Sequence, residues 1–245
     1  MKNKYIYSEK DLPQKSDAWH DFRRQHIGAS EVPKIMGEIY YKFGTSYDVF
    51  LLKMGKEPDE PNEDMVRGIE FEEPARNFIT QHLKSKFFKE ENEITENILD
   101  YTDYKLKFEP NFKQLTAKHK KIDCISASFD GVDKKNKLIL EVKCPKYENF
   151  IKFTKKSKLP TSYKSQIQTQ LMVANSHWGI TEGIFISYYH DGVDYENKSE
   201  KYDQIIKMVV LKAELDLEHC KKIEKTCKNF WNMVQNRQWN KYWNE

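Results

Sequence analysis

The sequence predicts an α/β fold: a mixed central sheet flanked by helices. Three observations lead there. Strand-like segments cluster in the middle and later portions of the chain, at Ile122–Ser128, Lys137–Val142, Gly183–Tyr189 and Gln204–Leu211. Two helical stretches, about 148–155 and 162–174, separate the second of these from the third, which is the spacing of a crossover. A long amphipathic segment, about 213–235, follows the last strand.

The front of the chain reads as helical. Ser16 caps a short helix over 16–24 that carries Trp19, Phe22 and Arg23 on neighbouring faces. Gly28 breaks it, and Ser30 can cap a second short helix, Glu31–Met36. Thr45 with Asp48 three residues on forms a capping box for a helix through Met54. Glu57–Asp64 (EPDEPNED) reads as an exposed loop. A longer helix should run from Asp64 to Leu83, and Pro74 inside it predicts a kink. Strand-like material starts near Phe87. In 162–174, Ile167, Leu171 and Ala174 make one apolar stripe. No repeat or low-complexity linker divides the chain. The expectation is a single domain over 1–245, with a helical region over 1–85, a core over 86–212 and a closing helix over 213–245.

Bulk properties narrow the function classes. The chain has 245 residues, 38% hydrophobic and 13% aromatic, enough for a sizeable core. Net charge is +3, unevenly spread: residues 1–100 hold 15 Lys/Arg against 20 Asp/Glu, and residues 101–245 hold 26 against 18. That asymmetry suits a polyanion-binding protein that also holds cations. Cys124, Cys144, Cys220 and Cys227 form no CxxC pair, which argues against a zinc or iron–sulfur site and for reduced thiols. No HxH or HExxH spacing occurs among the seven histidines. No apolar run approaches the ~20 residues of a membrane span. MKNKYIYSEKDL lacks the apolar core of a secretory signal, so the expected place is the cytoplasm of the producing or host cell.

The chemistry concentrates in 128–146, SFDGVDKKNKLILEVKCPK. Asp130-Gly131 reads as the end of one strand, and Glu141 lies near the end of the next. A hairpin between them brings the two carboxylates together. Residues i and i+2 of a strand share a face, so Glu141 and Lys143 point together and Val142 points away. Two close carboxylates repel, and a divalent cation with a taste for oxygen, such as Mg²⁺, cancels that repulsion. Such a metal activates water and places it against a phosphate. The lysine can hold or deprotonate that water and offset charge on phosphorus. The pattern fits metal-dependent phosphodiester hydrolysis.

This stretch resembles the PD-(D/E)xK nuclease core, and its flanks resemble the phage lambda exonuclease and YqaJ-type viral recombinase family. Four blocks carry the resemblance in order across 19–173. They are Trp19-His20-Asp21-Phe22-Arg23 with Ile27-Gly28-Ala29-Ser30, then Gly68-Ile69-Glu70-Phe71-Glu72, then the core, then Tyr163-Lys164-Ser165-Gln166-Ile167-Gln168. The segments 86–120 and 190–245 match no motif.

The resemblance implies a restriction-endonuclease-like fold and a 5′→3′ exonuclease that resects duplex DNA to leave 3′ overhangs for strand annealing. It implies Asp130, Glu141, Lys143, Glu72 and Gln166 as catalytic residues. Asp130, Glu141, Glu72 and the Val142 carbonyl would hold Mg²⁺, with Mn²⁺ as a substitute. Glu70 and Glu73 rival Glu72 on sequence alone. Arg23 and Ser30 would bind the 5′-terminal phosphate, since a guanidinium grips phosphate bidentately and a capped helix start favours an anion. Arg24 could take Arg23's place, and Ser128 would add a hydroxyl. Lys156 and Lys164, in a basic run interleaved with Phe150, Phe153 and Tyr163, suit a nucleic-acid track. Implied partners are duplex DNA with a 5′-phosphorylated end, a single-strand annealing protein and further copies of the chain, as a trimer. A PD-(D/E)xK endonuclease for restriction or repair, and a DNA-binding module without turnover, are the alternatives. Trp231, Trp239, Tyr242 and Trp243 read as core or subunit packing.

Overall fold

The computed structural model of the chain describes residues 5–14, 16–39, 44–56, 63–88, 98–101, 109, 111–156, 159–190 and 206–241. The elements in order are β1 (Ile6–Ser8), α1 (Asp17–Arg24), β2 (Ile27–Gly28), a 3-10 turn (Ala29–Glu31), α2 (Val32–Ile35), α3 (Ser46–Lys53) and α4 (Glu63–Phe88). Then come β3 (Ile98–Tyr101), β4 (Lys113–Lys118), β5 (Ile125–Asp133), β6 (Leu138–Lys143), α5 (Tyr147–Lys156), α6 (Thr161–Trp178), β7 (Glu182–His190), β8 (Ile206–Glu214) and α7 (Leu217–Asn236). The sheet runs β1-β4-β5-β6-β7-β8-β3, and β2 adds to β5 off that path. It is mixed: β4, β5 and β6 form an antiparallel meander, β6 and β7 are parallel, and β7 and β8 are antiparallel.

The period-2 alternation of β6 divides the core. Leu138, Leu140 and Val142 join Ile184, Ile186, Met208 and Val210 beneath Ala75 and Ile79 of α4. Ile139, Phe185 and Val209 face the other way, into the larger cluster with Ile167 and Leu171 of α6 and Ile223, Cys227 and Phe230 of α7. Each fully buried side chain of this size contributes about 1.5–3 kcal/mol by leaving water. Trp231 and Trp239 pack against the larger cluster. Tyr242 and Trp243 lie outside the described residues. All four cysteines are free thiols. Among the described residues, no helix is long and apolar enough to cross a membrane.

Local signals set several element ends. Ser16 caps α1 by accepting from the Trp19 N–H, and Thr45 and Asp48 form the expected box on α3. Gly179, at φ 64°, takes the left-handed turn that ends α6. Pro74 lies inside α4, which continues through it to Phe88, so Phe87 is helical rather than strand-like.

Three strand readings change. β5 starts at Ile125 and runs through Asp130 to Asp133, so the hairpin turn falls after Asp133. Asp133 holds that turn by accepting from the Asn136 N–H at 2.9 Å, and Lys137 takes φ 56°. β8 continues to Glu214, and α7 begins at Leu217 because the Asp216 side chain caps it, accepting from the His219 N–H at 3.0 Å. β1, β2 and β4 lie in stretches with little strand signal. β1 and β2 are too short for periodicity, and β4 (KQLTAK) is half polar. The first 85 residues therefore supply two strands as well as helices.

Candidate active site

The site forms where the β5–β6 ladder stops. Its last pair is Gly131 with Leu140. At the next position Asp130 turns its carboxylate into the gap and accepts the Val142 N–H at 2.7 Å. Gly131 must lack a side chain here: a Cβ would stand 2.7 Å from Phe112 Cβ. Glu141, 3% exposed, lies on the opposite face of β6 from Val142 and meets α6.

Three donors converge on Glu141. Lys143 Nζ and Gln166 Nε2 each stand 2.5 Å from Oε1, and Gln170 Nε2 stands 2.5 Å from Oε2. Gln166 and Gln170 are one helical turn apart, on one face of α6. Ser165–Ala174 of that helix is buried all round. Gln166 is thus a buried partner of Glu141 rather than a polar rim residue. Lys143 also lies 5.7 Å from the centroid of the Tyr163 ring.

The charges are unbalanced in a way that invites a cation. Burial, then the Glu141 charge, pushes the Asp130 carboxyl up to about 8, although Lys143 and the Val142 N–H oppose it. Burial works against the Lys143 charge, but Glu141 and Asp130 outweigh it and hold Lys143 firmly protonated. One ammonium therefore does not neutralise both acids. Additional positive charge beside Asp130 would let it ionise, and the donor set is all oxygen, which suits a hard divalent ion. The Asp130 and Glu141 carboxylates fit such a group.

Glu72 sits on α4 with its side chain 26% exposed, 3.2 Å from Arg76 Nη1. Its charge also raises Asp130. Glu70 and Glu73 are exposed, so the fold separates Glu72 from its sequence rivals. Among the described residues, no three His, Cys, Asp or Glu side chains form a ready metal cluster. Glu72 is a neighbour of the acid pair.

A second group of residues adjoins the first. Arg23 Nη2 lies 3.2 Å from Ser30 Oγ, and its guanidinium covers the Trp19 ring at 4.7 Å. Trp19 Nε1 donates to Ser128 Oγ at 3.2 Å, and Thr116 Oγ1 is 3.1 Å from the same hydroxyl. The Ser128 carbonyl accepts from Gln170 Nε2 at 3.2 Å, which joins this group to Glu141. Arg24 instead pairs with Asp21 at 2.6 Å on the surface, so Arg23 is the arginine at Ser30.

Lys164 is not drawn toward Glu141; it pairs with Asp216 at 3.5 Å beside α7. The side chain of Lys156 falls outside the described residues, as does Lys158. Sequence reasoning gave no role in these contacts to Trp19, Thr116 or Gln170; Trp19 carried a signal as the start of the first motif block, and Gln170 in its i+4 spacing from Gln166.

Comparison with known proteins follows the same lines. No curated protein matches the chain by sequence. Among solved structures it is similar to LHK-Exo, an alkaline exonuclease from Laribacter hongkongensis. Its complex with dAMP aligns with TM-score 0.60 and 20% identity over 91% of this chain and 94% of that one. A second crystal structure of LHK-Exo aligns at 0.58, also with 20% identity and the same coverage. A phage-related exonuclease from Haemophilus somnus 129PT aligns at 0.51 and 16%, over 89% and 99%. These likenesses establish that the chain shares the fold of these exonucleases. A model of the YqaJ-like viral recombinase domain matches residues 18–177, from α1 to the end of α6, and the chain therefore belongs to that family.

Proposed function

We propose that this protein is a metal-dependent deoxyribonuclease that digests duplex DNA 5′→3′ from phosphorylated ends and leaves 3′ overhangs for strand annealing. The observation that carries the reading is the buried Asp130–Glu141 pair at the end of the β5–β6 ladder, with Lys143 2.5 Å from Glu141. Family membership and the exonuclease neighbours support it.

Asp130, Glu141 and the Val142 carbonyl would hold Mg²⁺, with Mn²⁺ as substitute and Glu72 acting through water. When bound, the metal supplies an activated water and neutralises charge on the phosphate. Lys143 is kept protonated, so it donates a hydrogen bond and positive charge to the scissile phosphate or the attacking water. Gln166 and Gln170 fix the Glu141 carboxylate and keep it from rotating away. Arg23, Ser30 and Ser128 receive the 5′-terminal phosphate, and the link through Gln170 ties that pocket to the acid pair. Lys156 and Lys164 contribute a basic approach for the strand. An annealing protein as partner and a homo-oligomer, in trimeric form, complete the proposal as the family resemblance implies.

The test uses linear duplex DNA with 5′-phosphate or 5′-hydroxyl ends, and a closed circle, each with Mg²⁺ or chelator. The expected result is mononucleotide release from phosphorylated ends, slower release from hydroxyl ends, an intact circle and no reaction with chelator. Nicking of the circle would make the protein an endonuclease. DNA binding with no cleavage under any condition would make it a binding module.

A further inference from the structure

The arginine of the terminal-phosphate pocket is held by an acid, which creates an electrostatic problem. Glu31 Oε1 lies 3.1 Å from Arg23 Nη2, and the carboxylate also accepts the Gly28 N–H at 2.7 Å. This contact and the Trp19 ring fix the guanidinium in place. A carboxylate directly behind a guanidinium also cancels the charge that should attract phosphate.

Lys53, from the last turn of α3, reaches the same carboxylate from inside the protein. Its Nζ lies 2.9 and 2.7 Å from the two Glu31 oxygens and 2.6 Å from the Arg23 carbonyl. Those three contacts use all three ammonium protons. The Lys53 side chain is 2% exposed, so it cannot touch a ligand, whereas Arg23 is 27% exposed. Glu31, at 10%, is enclosed between them.

We propose that Lys53 is a positioning and charge-setting residue for end recognition: by neutralising Glu31 it leaves the Arg23–Glu31–Lys53 trio one net positive charge, presented at Arg23. The inference rests on the terminal-phosphate reading above. It identifies the preferred ligand chemically as a phosphate monoester. A monoester carries about −1.5 to −2 charge at neutral pH, more than an internal diester, so it gains most from this surplus. The geometry pairs the two buried members: Lys53 Nζ faces three oxygen acceptors at 2.6–2.9 Å. Burial would raise Glu31, but Lys53 and Arg23 hold it below the usual carboxylate range. Burial lowers Lys53, and Glu31 opposes that fall.

A role confined to packing would lower stability and leave end preference alone. The experiment therefore reads the ratio of kcat/KM on 5′-phosphorylated to 5′-hydroxyl duplex ends, with thermal unfolding measured alongside. Lys53→Met exposes Arg23 to an unneutralised carboxylate, and the ratio should fall on the order of tenfold, chiefly through KM. Glu31→Gln keeps an acceptor for Arg23 and removes the negative charge. Its ratio should rise, with a steeper dependence on salt. Shared damage to the fold cannot move the ratio in opposite directions. An unchanged ratio in Lys53→Met, or a fall in Glu31→Gln, overturns the proposal. Where Lys53→Met does not fold, Glu31→Gln decides alone. Arg23→Ala separates the two levels of inference. If wild type shows no end preference, or Arg23→Ala retains it, the pocket reading itself fails.

Discussion

Replacing Asp130 by Asn should stabilise the metal-free protein at alkaline pH while abolishing its activity. The carboxyl ordinarily titrates at 3.8 and is pushed up to about 8 in the fold, by burial first and Glu141 second. The sign follows from where the proton sits. Below pH ~4 both folded and unfolded chains hold it. Between ~4 and ~8 the folded chain keeps a proton that the unfolded chain has lost, so stability present at low pH drains away as pH rises. Above pH ~9 both are ionised and the loss is complete. A difference of roughly four pH units at about 1.36 kcal/mol each sets a ceiling near 6 kcal/mol. Relaxation and water entry around a charge at the end of the β5–β6 ladder reduce this to about 2–3 kcal/mol. Asn is neutral at every pH and still accepts the Val142 N–H. The assay is urea unfolding in chelator at pH 5, 7 and 9, followed by Trp fluorescence. The advantage of the variant over wild type should grow steadily from pH 5 to pH 9, where it reaches about 2–3 kcal/mol. Added Mg²⁺ should then stabilise wild type and not the variant. A gap that is the same at pH 5 and pH 9 would refute the claim that the fold forces this acid to hold its proton.

Three further outcomes follow from the site. Lys143→Ala should lower kcat by about 10²–10⁴-fold with DNA binding nearly intact, because its charge acts on the reacting phosphate; loss of binding, seen by fluorescence anisotropy, would make it a DNA contact instead. Gln170→Ala removes the only described donor to Glu141 Oε2 and the tie to Ser128, so activity should fall about 10–100-fold, and the buried acceptors left unpaired should cost about 1–3 kcal/mol of stability; a nuclease assay beside a thermal melt checks both. Gly131→Ala places a methyl 2.7 Å from Phe112 Cβ, and denaturant unfolding should show a loss of about 1–3 kcal/mol.

The sequence by itself determined whatever depends on spacing along one element. Alternation in LILEVK put Glu141 and Lys143 on one face and Val142 on the other, since side chains of a strand repeat every two residues. The i+4 spacing of Gln166 and Gln170 put both amides on one face of α6. The Ser16 cap and the Thr45–Asp48 box fixed helix starts, because those bonds close within four residues. Tertiary structure decided what depends on residues far apart in the chain. Arg23 rather than Arg24 meets Ser30, and Glu72 rather than Glu70 or Glu73 reaches the acid pair, because packing selects the inward face of each helix. The run through Asp130 to Asp133 was hidden because strand continuation there comes from pairing with β4 and β6. Lys53 carried no signal in the linear pattern; its buried ion pair exists because α1, the 3-10 turn and α3 enclose it. Desolvation and charge coupling are properties of surrounding volume, so the raised Asp130 carboxyl had no counterpart in the linear pattern.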